Sequence, residues 1–135
     1  MGFLWSDAWI LSAIACAQAN GGSTLAEVLL FADGLNHTLP LDGELHGALS
    51  RLTEAGYVSE DAGEFRVTDR VPVDVRDPAD AAEFLRSEPW TQEVNVRDSR
   101  NDRVYPGLTD ERIRAAYVQY ERAWRALMRG QRDTS

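Results

Sequence analysis

Residues 9–19 are almost uniformly apolar, which predicts a helix buried around most of its circumference at the centre of a core. Ser6 is placed to cap it, with Asp7 in the first turn, and Asn20-Gly21-Gly22 closes it, so the helix is expected over about 7–19. Thr24-Leu25-Ala26-Glu27 reads as a capping box opening a second helix. Its apolar positions are Leu25, Val28, Leu29 and Ala32, and Asp33-Gly34 is expected to end it. A third helix is predicted from about residue 41, carrying Leu41, Leu45, Ala48, Leu49 and Leu52 along one stripe, with Gly56 at its C-terminal cap. The pattern then changes period. Tyr57-Val58-Ser59 and Glu64-Phe65-Arg66-Val67-Thr68 are short β-prone runs around a glycine-containing link, which predicts a β-hairpin.

Three helices followed by a hairpin is the plan of a winged helix-turn-helix. The stretch Leu49-Ser50-Arg51-Leu52-Thr53-Glu54-Ala55-Gly56-Tyr57-Val58, followed by Phe65-Arg66-Val67-Thr68, resembles the end of the recognition helix and the wing of bacterial winged-helix regulators of the PadR and MarR type. The resemblance spans residues 6–70. It implies a fold that is mainly α with a small β wing, a winged helix-turn-helix plus a C-terminal helical extension. The expected organisation is therefore a winged helix-turn-helix domain over residues 1–70. Residues 71–135 then form a connector, a long loop and a C-terminal helix that packs on the domain or forms a dimer contact.

The second half is less regular. Pro72 confines residues 71–75 to an edge or a connector. Asp77-Pro78 is a helix opening, with Asp as cap and Pro in the first turn, and Ala81, Ala82, Phe84 and Leu85 are the apolar positions that follow. Residues 88–108 hold prolines, asparagines and a glycine without periodicity, so they read as a loop of unusual length. Thr109 is expected to cap a last helix reaching about Arg129, with Ile113, Ala116, Tyr117, Tyr120, Trp124, Leu127 and Met128 as its apolar positions.

Composition changes this picture mainly through charge. The 135 residues carry 22 acids against 14 cations, a formal net charge of -8, and every cation is arginine. Residues 1–64 contain nine acids and one base, Arg51, so the whole excess of negative charge lies in the winged-helix half. An acidic balance of this kind disfavours a general binder of nucleic acid or anionic membrane. The N-terminus resembles secretory, lipoprotein and myristoylation signals in part, but lacks the basic residues that such targeting requires. No run is long enough for a membrane span, and a single cysteine excludes an intramolecular disulfide, so the expected compartment is the cytoplasm.

In a DNA-reading winged helix the outer face of the third helix enters the major groove and the wing meets phosphate. Here that face offers Asp42, Glu44, His46, Ser50 and Arg51, with one arginine where base readout uses Arg, Lys, Asn or Gln. The wing tip, residues 60–64, adds three carboxylates. Cations for DNA would then have to come from Arg97, Arg100, Arg103, Arg112, Arg114, Arg122, Arg125, Arg129 and Arg132, which read more simply as a solvated, charge-compensated helix and loop. Asp42 and His46 share a helix face and His37 sits at a turn, but no third ligand has metal-site spacing. Cys16 lies in an apolar helix with no neighbouring cation, the setting of an inert thiol.

These readings converge on a non-enzymatic regulatory or protein-interaction module built on an acidic winged helix, with no cofactor or metal. The favoured partner is a protein or a second copy of the chain, and no membrane is involved. The alternative is a dimeric DNA-binding transcription regulator. Tyr117, Tyr120, Trp124, Leu127 and Met128 are the expected contact for a homodimer built on residues 109–129. The competing arrangement lays that helix across the first one and buries Trp124 with Trp5 or Trp9.

Overall fold

The computed structural model describes residues 3–87 and 104–133. It is mainly helical with one small antiparallel sheet: α1 (Trp5–Ala19), α2 (Leu25–Asn36), α3 (Asp42–Glu54), β1 (Val58–Asp61), β2 (Glu64–Val67), α4 (Pro78–Ser87) and α5 (Asp110–Asp133). As its uniform apolarity requires, α1 is the centre, and α2, α3, α4 and β2 all pack against it. Ile10, Leu11, Ile14, Leu29, Leu45, Leu49 and Leu52 are fully buried, so the α3 stripe meets the core as its spacing demands.

The helix ends follow their local chemistry. Thr24 and Glu27 form the reciprocal capping box, the Glu27 amide donating to Thr24 Oγ1 at 3.4 Å and the Thr24 amide to Glu27 Oε1 at 3.2 Å. Asp77 accepts the Asp80 amide at 2.8 Å, and Thr109 accepts the Arg112 amide at 3.1 Å. Gly56, at φ 81°, ends α3 in a Schellman arrangement, its own amide donating to the Thr53 carbonyl and the Tyr57 amide to the Leu52 carbonyl.

Four boundaries depart from the sequence reading. α1 starts at Trp5 with Leu4 as its cap residue, and Ser6 is buried inside the first turn. The reason is Asp7, whose carboxylate accepts the Leu4 amide at 2.8 Å and so supplies the capping acceptor from the third helical position. Gly34 does not stop α2. The helix continues to Asn36, and His37 takes the left-handed turn at φ 55°. Leu41 is the cap residue of α3 rather than part of its stripe, and it is 65% exposed. α5 runs four residues beyond Arg129.

The hairpin is tighter than the sequence suggests. β1 and β2 pair from Val58↔Val67 to Asp61↔Glu64, leaving only Ala62 and Gly63 in the turn, both at positive φ as a type I′ connection needs. Thr24 makes an isolated antiparallel bridge to Glu64, and the Phe65 amide donates to the Ser23 carbonyl at 3.0 Å. The chain between α1 and α2 thus adds a rudimentary third edge to the sheet. Residues 71–77 form turns rather than a strand, with Val71 and Val75 inserted into the core. Below them α4 closes the base of α1, and Phe84 meets Tyr57 edge-on at 5.1 Å. Among the described residues no helix is long and apolar enough to cross a membrane.

Candidate interaction surface on α3 and the hairpin

The outer face of α3 is where the sequence places its candidate recognition residues, and the structure separates them. Asp42 is exposed, while Glu44, His46 and Ser50 are half-buried. Glu44 is committed locally, accepting the Leu41 amide at 2.9 Å as an N-terminal back-bond. Arg51 does not project outward with them. Its guanidinium turns into the core and grips Asp7 with two hydrogen bonds, Nε to Oδ2 at 2.7 Å and Nη2 to Oδ1 at 2.9 Å. The Arg51 side chain is 9% exposed and that of Asp7 0%. This corrects the placement of Arg51 on the outer face: an unpaired carboxylate buried in α1 would be far costlier than withdrawing the arginine from solvent.

At His46 that face is met by the chain itself. His46 Nδ1 accepts the backbone amide of Tyr105 at 3.1 Å, across 59 residues of sequence. The Tyr105 hydroxyl crosses to the hairpin and donates to Glu60 Oε1 at 2.8 Å. Arg112 grips the other oxygen of Glu60 at 2.6 Å, donates to the Gly107 carbonyl at 2.9 Å, and lies 5.1 Å above the Phe65 ring. Leu108 is buried beneath this cluster. Glu60 is therefore neutralised from within, and Glu64 on the next strand accepts the Ser23 amide at 3.2 Å and lies 3.6 Å from Arg66.

Burial, the hydrogen bond to Glu60 and the charge of Glu60 together push the Tyr105 hydroxyl up to about 12, against a smaller lowering by Arg112. Tyr120 is pushed up to about 12 by burial and by its hydrogen bond, 2.6 Å long, to Asp33. Tyr117 donates to the Pro40 carbonyl at 3.1 Å, and burial, then the charge of Asp42, raise its pKa above the ordinary value. At neutral pH all three phenols are donors that tie α5 and the turn before it to α2, the α2–α3 connection and β1.

Tyr117 and Tyr120 are thus occupied by the chain's own α2 and α2–α3 connection, whereas Trp124, Leu127 and Met128 remain exposed. α5 packs on α2 rather than across α1, and Trp5 and Trp9 stack on each other with centroids 5.6 Å apart. Trp124 joins neither of them. Arg97, Arg100 and Arg103 lie outside the described residues, as does the side chain of Arg132.

Cys16 and the two histidines take structural roles. Cys16 donates to the Arg76 carbonyl at 3.0 Å, and burial raises its pKa, so it is a protonated thiol at neutral pH. His37 and His46 sit apart in function, one ending α2 and the other accepting Tyr105. Among the described residues no three His, Cys, Asp or Glu side chains group as a metal site. An open cleft of about 410 Å³ beside the end of α1 includes Gln18, Thr68 and Arg76, but Gln18 accepts the Val67 amide and Thr68 donates to the Gly56 carbonyl.

Sequence reasoning missed Tyr105, Arg112 and Glu60 as a unit, because nothing local joins residues that far apart. The pair of Asp7 and Arg51 did leave a signal: the only charge before Glu27 and the only base before Arg66 are each other's partner. No protein family, curated protein or solved structure matches the chain, so the reading of this surface rests on its own geometry.

Proposed function

We propose that the protein is a non-enzymatic regulatory module on a winged-helix plan whose recognition face is closed to nucleic acid and which acts through protein contacts. The winged-helix plan is supported by the order of α1, α2, α3 and hairpin, and by the bridge from Thr24 to Glu64 that joins the α1–α2 connection to the wing. The observation that carries the function is the inward turn of Arg51 onto Asp7, which removes the one arginine of the α3 face from any groove. What stays outside on that side is mostly acidic, Asp42, Glu54 and Asp61 against Arg66 of β2, a balance that disfavours a phosphate backbone. A protein partner with basic and apolar groups suits it better. The lone thiol of Cys16 fits the reducing cytoplasm, where we place this activity.

Titration of the full chain with random duplex DNA at low salt tests the reading. No binding is expected, because even non-specific phosphate contacts are strongest there. Tight, salt-sensitive binding would overturn it and favour a DNA-binding regulator using the arginines of α5.

A further inference from the structure

Residues 104–107 span from α3 to β1 as a thin strap. Val104, Pro106 and Gly107 are exposed, and only Tyr105 is half-buried. The strap closes in a turn, the Leu108 amide donating to the Tyr105 carbonyl at 3.0 Å, with Pro106 and Gly107 between them. Proline fixes one dihedral of that turn, so Tyr105 and the turn move together. Ahead of Leu108 two hydrogen bonds hold this piece: the Tyr105 amide to His46 Nδ1 at 3.1 Å and the Tyr105 hydroxyl to Glu60 Oε1 at 2.8 Å. Beyond it the chain is anchored by other means, the buried Leu108 and the grip of Arg112 on Glu60.

Of the two bonds, the one to His46 depends on a proton. A backbone amide only donates, so Nδ1 has to be bare, which puts the proton of the neutral ring on Nε2. Nε2 makes no hydrogen bond to another group among the described residues, and the half-buried ring is partly open to solvent. A second proton on the ring sets one N–H against another where the hydrogen bond was. The Tyr105 hydroxyl is no comparable switch. Burial and Glu60 push it up to about 12, so it remains a donor throughout the acidic range.

We propose that His46 is an acid-released latch: when its imidazole takes up a proton, Tyr105 and the Pro106-Gly107 turn lift from α3, while Leu108 and α5 stay seated. The charges around the ring do not oppose that proton. Asp42 and Glu44 precede it on its own helix, Asp42 by one turn, and Tyr117 of α5 faces Asp42 as a neutral phenol. Across the strap stands Glu60 of β1, with Arg112 of α5 paired to it at 2.6 Å. The other cation of α3, Arg51, is turned onto Asp7. Closure and protonation exclude each other, which sets the sign. The strap is closed at neutral pH and above, and its hold weakens as pH falls through the imidazole range, about 5 to 8. Access to the His46 side of α3 thereby depends on pH. The latch goes beyond the reading of α3 as a protein-contact face and does not rest on it.

Amide hydrogen exchange of the full chain at about pH 7.5 and about pH 5.5 tests it, each amide referred to its unprotected rate at the same pH. Protection at Tyr105 should fall about tenfold or more in acid. Protection at Ile14, buried in the middle of α1, should not change, which separates lifting of the strap from acid unfolding. His46→Asn sets an amide oxygen near the place of Nδ1 and takes up no proton, so its Tyr105 amide should stay protected at both pH values. In the wild type the loss should share its midpoint with the His46 ring resonances followed by NMR. Equal protection of wild-type Tyr105 at the two pH values would overturn the latch and leave the occupied face standing. A loss that persists in His46→Asn, or one whose midpoint differs from that of the His46 ring, would assign the proton to another group and would overturn it too.

Discussion

The two longest helices, α1 and α5, are held by opposite means. α1 is enclosed on every side, and even its one acid, Asp7, is fully buried against Arg51 of α3. Among its described side chains α5 buries only Ile113 and Ala116, and it is otherwise fastened by phenols and one guanidinium: Tyr117 to Pro40, Tyr120 to Asp33, Arg112 to Glu60. Where burial holds a helix, its residues are spent on the fold. Where polar anchors hold it, most of its surface stays free to meet something else. That division puts the most buried residues in α1 and leaves most of α5 exposed.

Breaking the α1 side should cost most. Arg51→Ala leaves the Asp7 carboxylate buried without its guanidinium, and a loss of about 3–5 kcal/mol in denaturant unfolding is expected. Arg51→Met combined with Asp7→Asn keeps a capping acceptor for Leu4 and removes both charges, so it should recover most of that loss. Leu49→Ala, at a position facing α1 with 1% exposure, should cost about 2–5 kcal/mol by the same measurement. A loss under about 1 kcal/mol at either site would erase the contrast between the helices.

The α5 side should respond to pH instead. Tyr105 and Tyr120 ionise near 12 in the folded protein, above the ordinary value of about 10 for an unfolded tyrosine. Their raised folded values mean that the phenol hydrogen bonds contribute in full below pH 10. That contribution is lost as pH rises through 12. Absorbance titration of phenolate should therefore show Tyr105 and Tyr120 ionising late, with Tyr117 also above the ordinary value and Trp124 fluorescence changing over the same window. Tyr120→Phe should remove one late tyrosine and cost about 0.5–1.5 kcal/mol, the worth of one ordinary hydrogen bond. If every tyrosine titrates near 10, the anchors are not as described.

The smallest effect sharpens the hairpin that joins the two sides. Ala62 holds φ 52° in the turn, a conformation that side chains resist. Ala62→Gly should relieve it and raise stability by a few tenths to about 1 kcal/mol, measured as a shift in the denaturation midpoint, the gain being offset in part by unfolded-state entropy.

Much of this architecture was legible in the chain, for identifiable reasons. Period and caps are local, so Thr24 with Glu27, Asp77 with Pro78, Gly56 and Thr109 marked their helix ends correctly. Leu41 misled because an apolar residue one turn ahead of a stripe has the right spacing without being in the helix. Arg51 misled for a related reason: a periodicity argument assigns it to the polar face, while the nearest uncompensated charge, Asp7, lies 44 residues away and draws it inward. The Tyr105–Glu60–Arg112 cluster had no local pattern at all, since its geometry exists only after residues 104–112 have returned to the hairpin.

The central claim is that the chain occupies the outer face of α3 at His46 with its own backbone at Tyr105. Amide hydrogen exchange at Tyr105 tests it most directly, because that amide's hydrogen bond is to His46 Nδ1 and belongs to no helix or strand. The account predicts exchange slowed about a hundredfold or more relative to an unprotected amide, with the protection lost in His46→Ala. Exchange at the unprotected rate in the wild type would mean that the face stands open, and would contradict the account.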